Sequence, residues 1–485
     1  MPDGLIQPEG KPSVAPEPYG AVPPEARAAD LTGLTGLGSR LSGPIEQRTR
    51  VRYRVIGVSV AMAFILYLDR VCLGEIVKLE SFLSDFYPSA TASVDDTAAV
   101  RARLGEVLGA FFFTYAFFQI PAGWASDRFG GRTMLTIYIV AWSAMTALTG
   151  LAVSLTGLLF ARLALGVAQA GAYPTSGGVI RKWFRSENRS MASGWVSMGG
   201  RIGGAVAPFL TTFLILQVGS WRTVLIVYAI VGFVIAAVYY WVTRDRPIDH
   251  PRINAAEAQW IGEPADNHRS EVSDILPMLW ACFKSRTLWL NSIVQFATNV
   301  GWAFLITWLP TYLKDRGVDD VTGGLMVSFI LGVGIPAQLV GGWIGDRCVV
   351  KLGLRWGRVV PVAVASTIAG SAYLLCIGLG SVWAIVACCA TVSLMTDISN
   401  PSFWALITDI GGRNTSGIFA WSNMWGNFGA ALTSTVLPLL ATWGLAWGYG
   451  DTFMFVFLGS AFIISGLAVL GMDATKLVQA PKTVA

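Results

Sequence analysis

Charge is scarce in this chain: Asp, Glu, Lys and Arg make up 13% of its 485 residues, against 54% hydrophobic ones. Soluble domains carry about 25% charged residues, so a soluble fold with a polar exterior is excluded. Histidine is scarcer still. The two present, His250 and His268, share one polar segment, which excludes a zinc centre or a Ser-His-Asp hydrolase within the apolar part. The cysteines at 72, 282, 348, 376, 388 and 389 follow no metal-ligand spacing; they read as small core residues. No Walker-type phosphate loop occurs, so neither ATP nor any other cofactor is expected. Residues 1–50 are rich in Pro, Gly and Ala and lack the apolar core of a signal peptide; a disordered tail is expected.

What is present is apolar length. Segments long enough to span a bilayer, about 20 residues each, fall near 53–78, 103–125, 133–152, 156–180, 189–217, 221–243, 287–312, 321–345, 358–379, 381–407, 415–441 and 450–472. The longest polar interruption, 244–286, separates six from six. It carries Pro247, Pro251 and Pro264 and reads as a linker. The expected organisation is a tail over 1–50, a first bundle over 51–243, the linker over 244–286, a second bundle over 287–472 and a tail over 473–485.

Lys and Arg gather on one side of these spans, in clusters such as Arg181, Lys182, Arg185 and Arg189. The opposite side holds Lys78, Arg101, Arg103, Arg222, Lys314 and Arg316. This bias puts both termini and the linker in the cytoplasm. A net charge of +5 dispersed in short clusters is a topology signal, and no nucleic-acid partner is expected.

An internal repeat is visible. Gln119-Ile-Pro-Ala-Gly-Trp-Ala-Ser-Asp127-Arg128 aligns without gaps to Gln338-Leu-Val-Gly-Gly-Trp-Ile-Gly-Asp346-Arg347, with five of ten positions identical. Each copy ends the second span of its half. Half-to-half similarity marks carriers that rock two bundles about a central site.

The first copy continues Gly123-x-x-x-Asp127-Arg128-x-Gly130-x-Arg132 and so resembles the loop signature of the major facilitator superfamily. The resemblance implies an all-α membrane protein of about twelve helices in two six-helix bundles. It also implies a gating role for Gly123, Asp127, Arg128, Arg132, Asp346 and Arg347. Further pieces refine it. They are Tyr67-Leu-Asp69-Arg70, Tyr115-x-x-x-Gln119, Arg162-x-x-x-Gly166-x-x-Gln169, Asn400-Pro401-x-Phe403-Trp404 with Asp409, and Asn423-x-x-Gly426-Asn427. Together, over roughly 50–475, they resemble the anion:cation symporters of that superfamily, which include hexuronate, galactonate and glucarate permeases and sialin.

Read as bare chemistry, the spans hold Arg70, Arg162 and Arg201 against Asp69 and Asp397. A charge in lipid must pair or face water. A cationic surplus calls for an anion, and Arg suits a carboxylate. Arg70 and Arg162 are the expected carboxylate ligands. Arg201 is either a substrate contact or a structural ion-pair partner. Asp69 is the favoured coupling carboxylate; the alternative is a permanently ionised partner of an Arg. The resemblance implies a proton-transferring Glu where this chain has Gln169, which cannot titrate. Asp397 either replaces that Glu in part or neutralises Arg201. By the same resemblance Gln295 and Asn423 meet sugar hydroxyls, Tyr67 and Tyr115 face the cavity, and Gln119 stands with them. Asn299, Trp302 and Trp404 are weaker candidates. The reading is a non-enzymatic secondary transporter of a small organic anion, a sugar acid or similar carboxylate, moved with H⁺. It would be a monomer in a bacterial inner membrane. Uniport, exchange or carboxylate sensing without transport are the other readings.

Overall fold

The computed structural model describes residues 47–86, 94–262 and 275–478. Most of the expected amino-terminal tail, His268 and the ends of two other expected loops and tails lie outside that set. Residues from Thr49 onward form one compact unit.

Among the described residues every regular element is helical. The first half holds α1 (Val51–Ile76), α2 (Glu80–Phe86), α3 (Val94–Phe129), α4 (Gly131–Leu151), α5 (Leu155–Gln169), α6 (Ala172–Trp183), α7 (Arg189–Val218) and α8 (Trp221–Val242). The linker contributes α9 (Ala255–Ile261) and α10 (Ile275–Lys284). The second half holds α11 (Arg286–Ala303), α12 (Leu309–Asp315), α13 (Asp320–Gly332), α14 (Gly334–Leu375), α15 (Val382–Ile410), α16 (Thr415–Ala446) and α17 (Thr452–Leu470). Lipid offers no hydrogen bonds, so each span satisfies its backbone internally.

Among the described residues eleven stretches are long and apolar enough to cross a membrane, and one of them, Val321–Leu375, has 55 residues. A straight helix of that length would reach about 80 Å, far beyond a bilayer. It turns at Gly353, whose φ of 76° only glycine adopts readily. The turn makes two spans of it, and the total is the expected twelve.

α1 packs on α7 and α8, α3 on α5, and α4 on α8. In the second half α11 packs on α16 and α17, and α14 on α15 and α17. Across the halves α14 meets α7 and α3 meets α16. The α1–α7 seam is close because Gly203 carries no side chain: a Cβ there would lie 2.9 Å from the Cα of Phe64. Small residues of this kind let membrane helices touch.

Described parts of the linker, of the carboxy-terminal tail and of the segment after α1 are tied to the spans. Glu257 of α9 is fully buried. It pairs with Arg52 at 2.7 Å and accepts the Val51 backbone N–H at 3.1 Å, which docks the linker onto the start of α1. The Val478 N–H donates to Ile410 O at 2.9 Å, tying the carboxy-terminal tail to the end of α15. In the long loop after α1, Asp85 accepts from Trp221 Nε1 and pairs with Arg222, both at 3.2 Å.

Candidate functional site

A polar cavity of about 140 Å³ opens between the halves. The first half lines it with Tyr67, Arg70, Tyr115, Tyr173, Ser197 and Arg201. The second half lines it with Gln295, Thr298, Asn299, Trp302, Thr396, Asn400, Trp404, Asn423 and Asn427. The lining follows helical spacing. Tyr67 and Arg70 lie three apart on α1, Ser197 and Arg201 four apart on α7, and Asn423 and Asn427 four apart on α16. Expected residues therefore identify neighbours that sequence reading did not assign, such as Ser197. Tyr173, between Gly171 and Pro174 at a break in the fourth span, gave no such signal.

Arg70 carries the centre of the site. Its guanidinium lies 5.0, 4.9 and 4.5 Å from the ring centres of Tyr67, Phe111 and Tyr115, within cation–π range. Nε and a terminal nitrogen donate to Gln169 Oε1 at 3.3 and 3.2 Å. The Gln169 amide is oriented in turn by donating to Leu66 O at 3.3 Å. Among the described residues the groups that meet Arg70 are thus a neutral amide and tyrosine side chains, and no carboxylate pairs with it. Across the cavity, Asn423 Nδ2 donates to the Tyr115 hydroxyl at 3.4 Å, joining the two halves.

Asp69 and Arg162 do not line the cavity. Neighbouring residues on a helix point about 100° apart, so Arg70 faces the cavity while Asp69 turns into the first bundle. Asp69 is 1% exposed and lies inside the first bundle beside the Thr146 hydroxyl. Arg162 is 2% exposed, its Nε is unpartnered, and its positive charge acts on Asp69. It lies 5.2 Å from the centre of the Phe111 ring that Arg70 also approaches. Gln119 is also buried away from the cavity, with both amide atoms unpartnered.

Arg201 does line the cavity and has an acid partner. It pairs with Asp397 Oδ1 at 2.5 Å and lies 3.7 Å from the Trp302 ring centre. Asp397, fully buried, also accepts from Gln338 Nε2 at 2.8 Å. Asp397 thus stands as an ion-pair partner of Arg201 in this structure.

The repeated motif residues meet at one end. Asp127 accepts the N–H groups of Ser416 at 3.0 Å and Gly417 at 2.8 Å, at the start of α16. Asp346 accepts those of Ser190 and Met191, both at 3.0 Å, at the start of α7. Each motif carboxylate thus caps a helix of the opposite half, where the exposed N–H groups favour an anion. Gly123 permits the contact, since a Cβ there would lie 2.8 Å from that of Ala420. Arg128 and Arg347 rest over Trp124 and Trp343 of their own motif copies, at 5.9 and 5.5 Å. Arg132 holds the first half to itself through the Tyr240 carbonyl at 2.8 Å and the Asp245 carboxylate at 2.9 Å. Arg189 of α7 pairs with Asp409 of α15 across the halves. Buried Arg358 pairs with Asp409 at 2.8 Å and lies 3.6 Å from Asp346, both within the second half, and reaches the first half by donating to the Ser190 hydroxyl and the Ser186 carbonyl. At this end the halves are in direct contact.

The family model of the Major Facilitator Superfamily matches residues 59–434. A probable sulfoacetate transporter of Cupriavidus necator is 29% identical over 76% of this chain and 82% of its own. A D-galactonate transporter of Escherichia coli is 26% identical over 87% and 95%. A hexuronate transporter of Bacillus subtilis is 24% identical over 78% and 87%. Among solved structures, a proton:xylose symporter superposes with a TM-score of 0.66 at 14% identity, over 87% of this chain and 95% of its own. A human organic anion transporter superposes with a TM-score of 0.60 at 15% identity, over 86% and 99%.

Proposed function

Because the chain belongs to the Major Facilitator Superfamily, we propose that its cavity carries a small organic anion across the membrane by alternating access, with the carboxylate or sulfonate of the substrate on Arg70. The observation that carries this reading is the cavity-facing guanidinium of Arg70, cradled by three rings and hydrogen-bonded to an amide instead of an acid. An uncompensated cation in lipid is costly, and a bound anion supplies the missing charge. Names borne by relatives, for sulfoacetate, galactonate and hexuronate, agree with that chemistry. Gln295, Asn299, Asn400 and Asn423 offer donors and acceptors for sugar-acid hydroxyls on the second half. The substrate is then gripped by one half and read by the other.

Proton cotransport is the favoured coupling. Asp69 is a buried carboxylate beside the charge of Arg162 and adjacent in sequence to Arg70. It can exchange a proton when rocking wets its surroundings, with Arg162 as counter-charge. Uniport or exchange is the second reading, favoured by Gln169, whose amide is fully engaged and untitratable. The Lys and Arg bias favours an orientation with both termini and the motif end in the cytoplasm; a bacterial inner membrane is the proposed setting, and the monomer suffices as carrier.

The test is uptake into proteoliposomes of hexuronates, aldonates and sulfoacetate, with and without an imposed pH gradient. Arg70→Lys keeps the charge but loses the forked geometry, and should lower uptake efficiency about 10–100-fold, the worth of one or two charge-assisted hydrogen bonds. Transport of no anion by the parent protein, or an unimpaired Arg70→Lys, would refute the reading.

A further inference from the structure

The reading above uses one guanidinium for one anionic group, but the cavity presents two. Arg201 reaches it from α7 at the level of Tyr67, since its neighbour Gly200 lies against the Tyr67 ring. Tyr67 is one turn from Arg70 along α1, about 4.5 Å of rise. The two cations therefore stand at nearby levels on adjoining walls. Their circumstances differ. Arg70 has a neutral amide for a partner, whereas Arg201 donates to Asp397 at 2.5 Å and lies over the Trp302 ring. Asp397 stays out of the cavity, fully buried, with Oδ2 unpartnered. Among the described residues the charged group that faces it is Arg201; α14 presents the neutral Gln338 and Gly334.

Charge balance then distinguishes two kinds of substrate. With Asp397 ionised the cavity and its rim hold a net single positive charge, which one carboxylate cancels. A second anionic group can bind only by taking donors of Arg201 away from Asp397. That would strand a carboxylate in a buried site without its cation, which is strongly unfavourable. A proton on Asp397 removes the conflict: two guanidiniums, two anionic groups and a neutral acid again sum to zero.

We propose that Arg201 and Asp397 form a second anion pole, so that a small dianion binds Arg70 with one end and Arg201 with the other while the displaced Asp397 carries a proton. The substrate class is a compact dicarboxylate or sulfonate-carboxylate. This rests on the anion-carrier reading. Trp302 and Asp397 belong to the second half and Arg201 to the first, so the exchange of partners at Arg201 also loosens one tie between the halves, coupling dianion binding to their movement.

The experiment is uptake by the full chain in proteoliposomes of galactonate, with one carboxylate, against glucarate, with two, and sulfoacetate, with a carboxylate and a sulfonate. External pH is varied for each. The parent protein should show a steeper gain on acidification for the two dianions than for galactonate. Arg201→Gln should lower the ratio of dianion to galactonate uptake about tenfold, the loss of one charge-assisted contact. Asp397→Asn should flatten the extra pH dependence of the dianions. Arg201→Gln leaves Asp397 unpaired and can unfold the protein. The double variant Arg201→Gln/Asp397→Asn removes both charges, and should keep the parent thermal stability while showing the same shift in ratio. Equal loss for all three anions in a folded variant, or one pH slope shared by monoanion and dianion, would overturn the second pole. Galactonate uptake with no dianion uptake would overturn it too and leave the carrier reading standing; movement of none would sink the carrier reading itself.

Discussion

At the residue scale, the charge of the site depends on which atoms Gln169 presents. Its Oε1 stands 3.2–3.3 Å from two nitrogens of Arg70, so a carboxylate in its place would form an ion pair and occupy the substrate's anchor. Gln169→Glu should therefore weaken anion uptake about 10–100-fold at neutral pH, the difference between charged and neutral hydrogen bonding. Uptake should recover on acidification, as protonation of the new carboxyl frees Arg70. Uptake profiles against pH check this, and equal activity at all pH values would mean that Arg70 is not the anchor. The residue types at this site were legible in the sequence, because a charge inside an apolar span is conspicuous. Their azimuths were not. Asp69 and Arg70 are adjacent in sequence yet face different surroundings, and Arg162, equally conspicuous, does not line the cavity.

At the element scale, the site is assembled where α1 and α7 touch. Gly203 lies on the backbone of Phe64, and Gly200 on the Tyr67 ring, so the seam sets how far Arg201 stands from Tyr67 and Arg70. Gly203→Leu would drive a side chain into the backbone of α1. Overpacking of this kind costs about 1–3 kcal/mol; the variant should unfold at lower temperature and lose uptake with it. Unchanged thermal unfolding in detergent would show that the seam yields without cost. The spans themselves were legible from apolar length, to within a few residues at most ends. The turn at Gly353 could be placed in a polar gap but not assigned a geometry, because φ depends on where the two flanking helices pack. The linker was read as a spacer; its helix α9 docks instead, because Glu257 satisfies the orphan N–H of Val51 and the charge of Arg52.

At the scale of the whole molecule, the two halves are latched at the motif end by Asp127 on α16 and Asp346 on α7, with Asp409 shared between Arg189 and Arg358. Asp127→Asn keeps shape but gives up two charge-assisted bonds, worth about 1.5–3 kcal/mol each before water replaces them. The population should move toward forms open at that end by about tenfold or more. Ala420→Cys, buried against Gly123, should then be alkylated correspondingly faster, read by site-resolved mass spectrometry; no change in rate would show that Asp127 is not part of the latch. The amino-acid sequence by itself determined the number of spans, the twofold repeat, the membrane setting and the short roster of interior charges. Each of these is written in local windows, where the cost of placing a residue in lipid depends on that residue and its near neighbours. Tertiary structure alone decided which charges cancel. Arg70 meets Gln169 across 99 residues, and Arg201 meets Asp397 across 196. Such pairings follow from how small residues let helices approach and turn relative to one another, and spacing along the chain carries no record of that rotation.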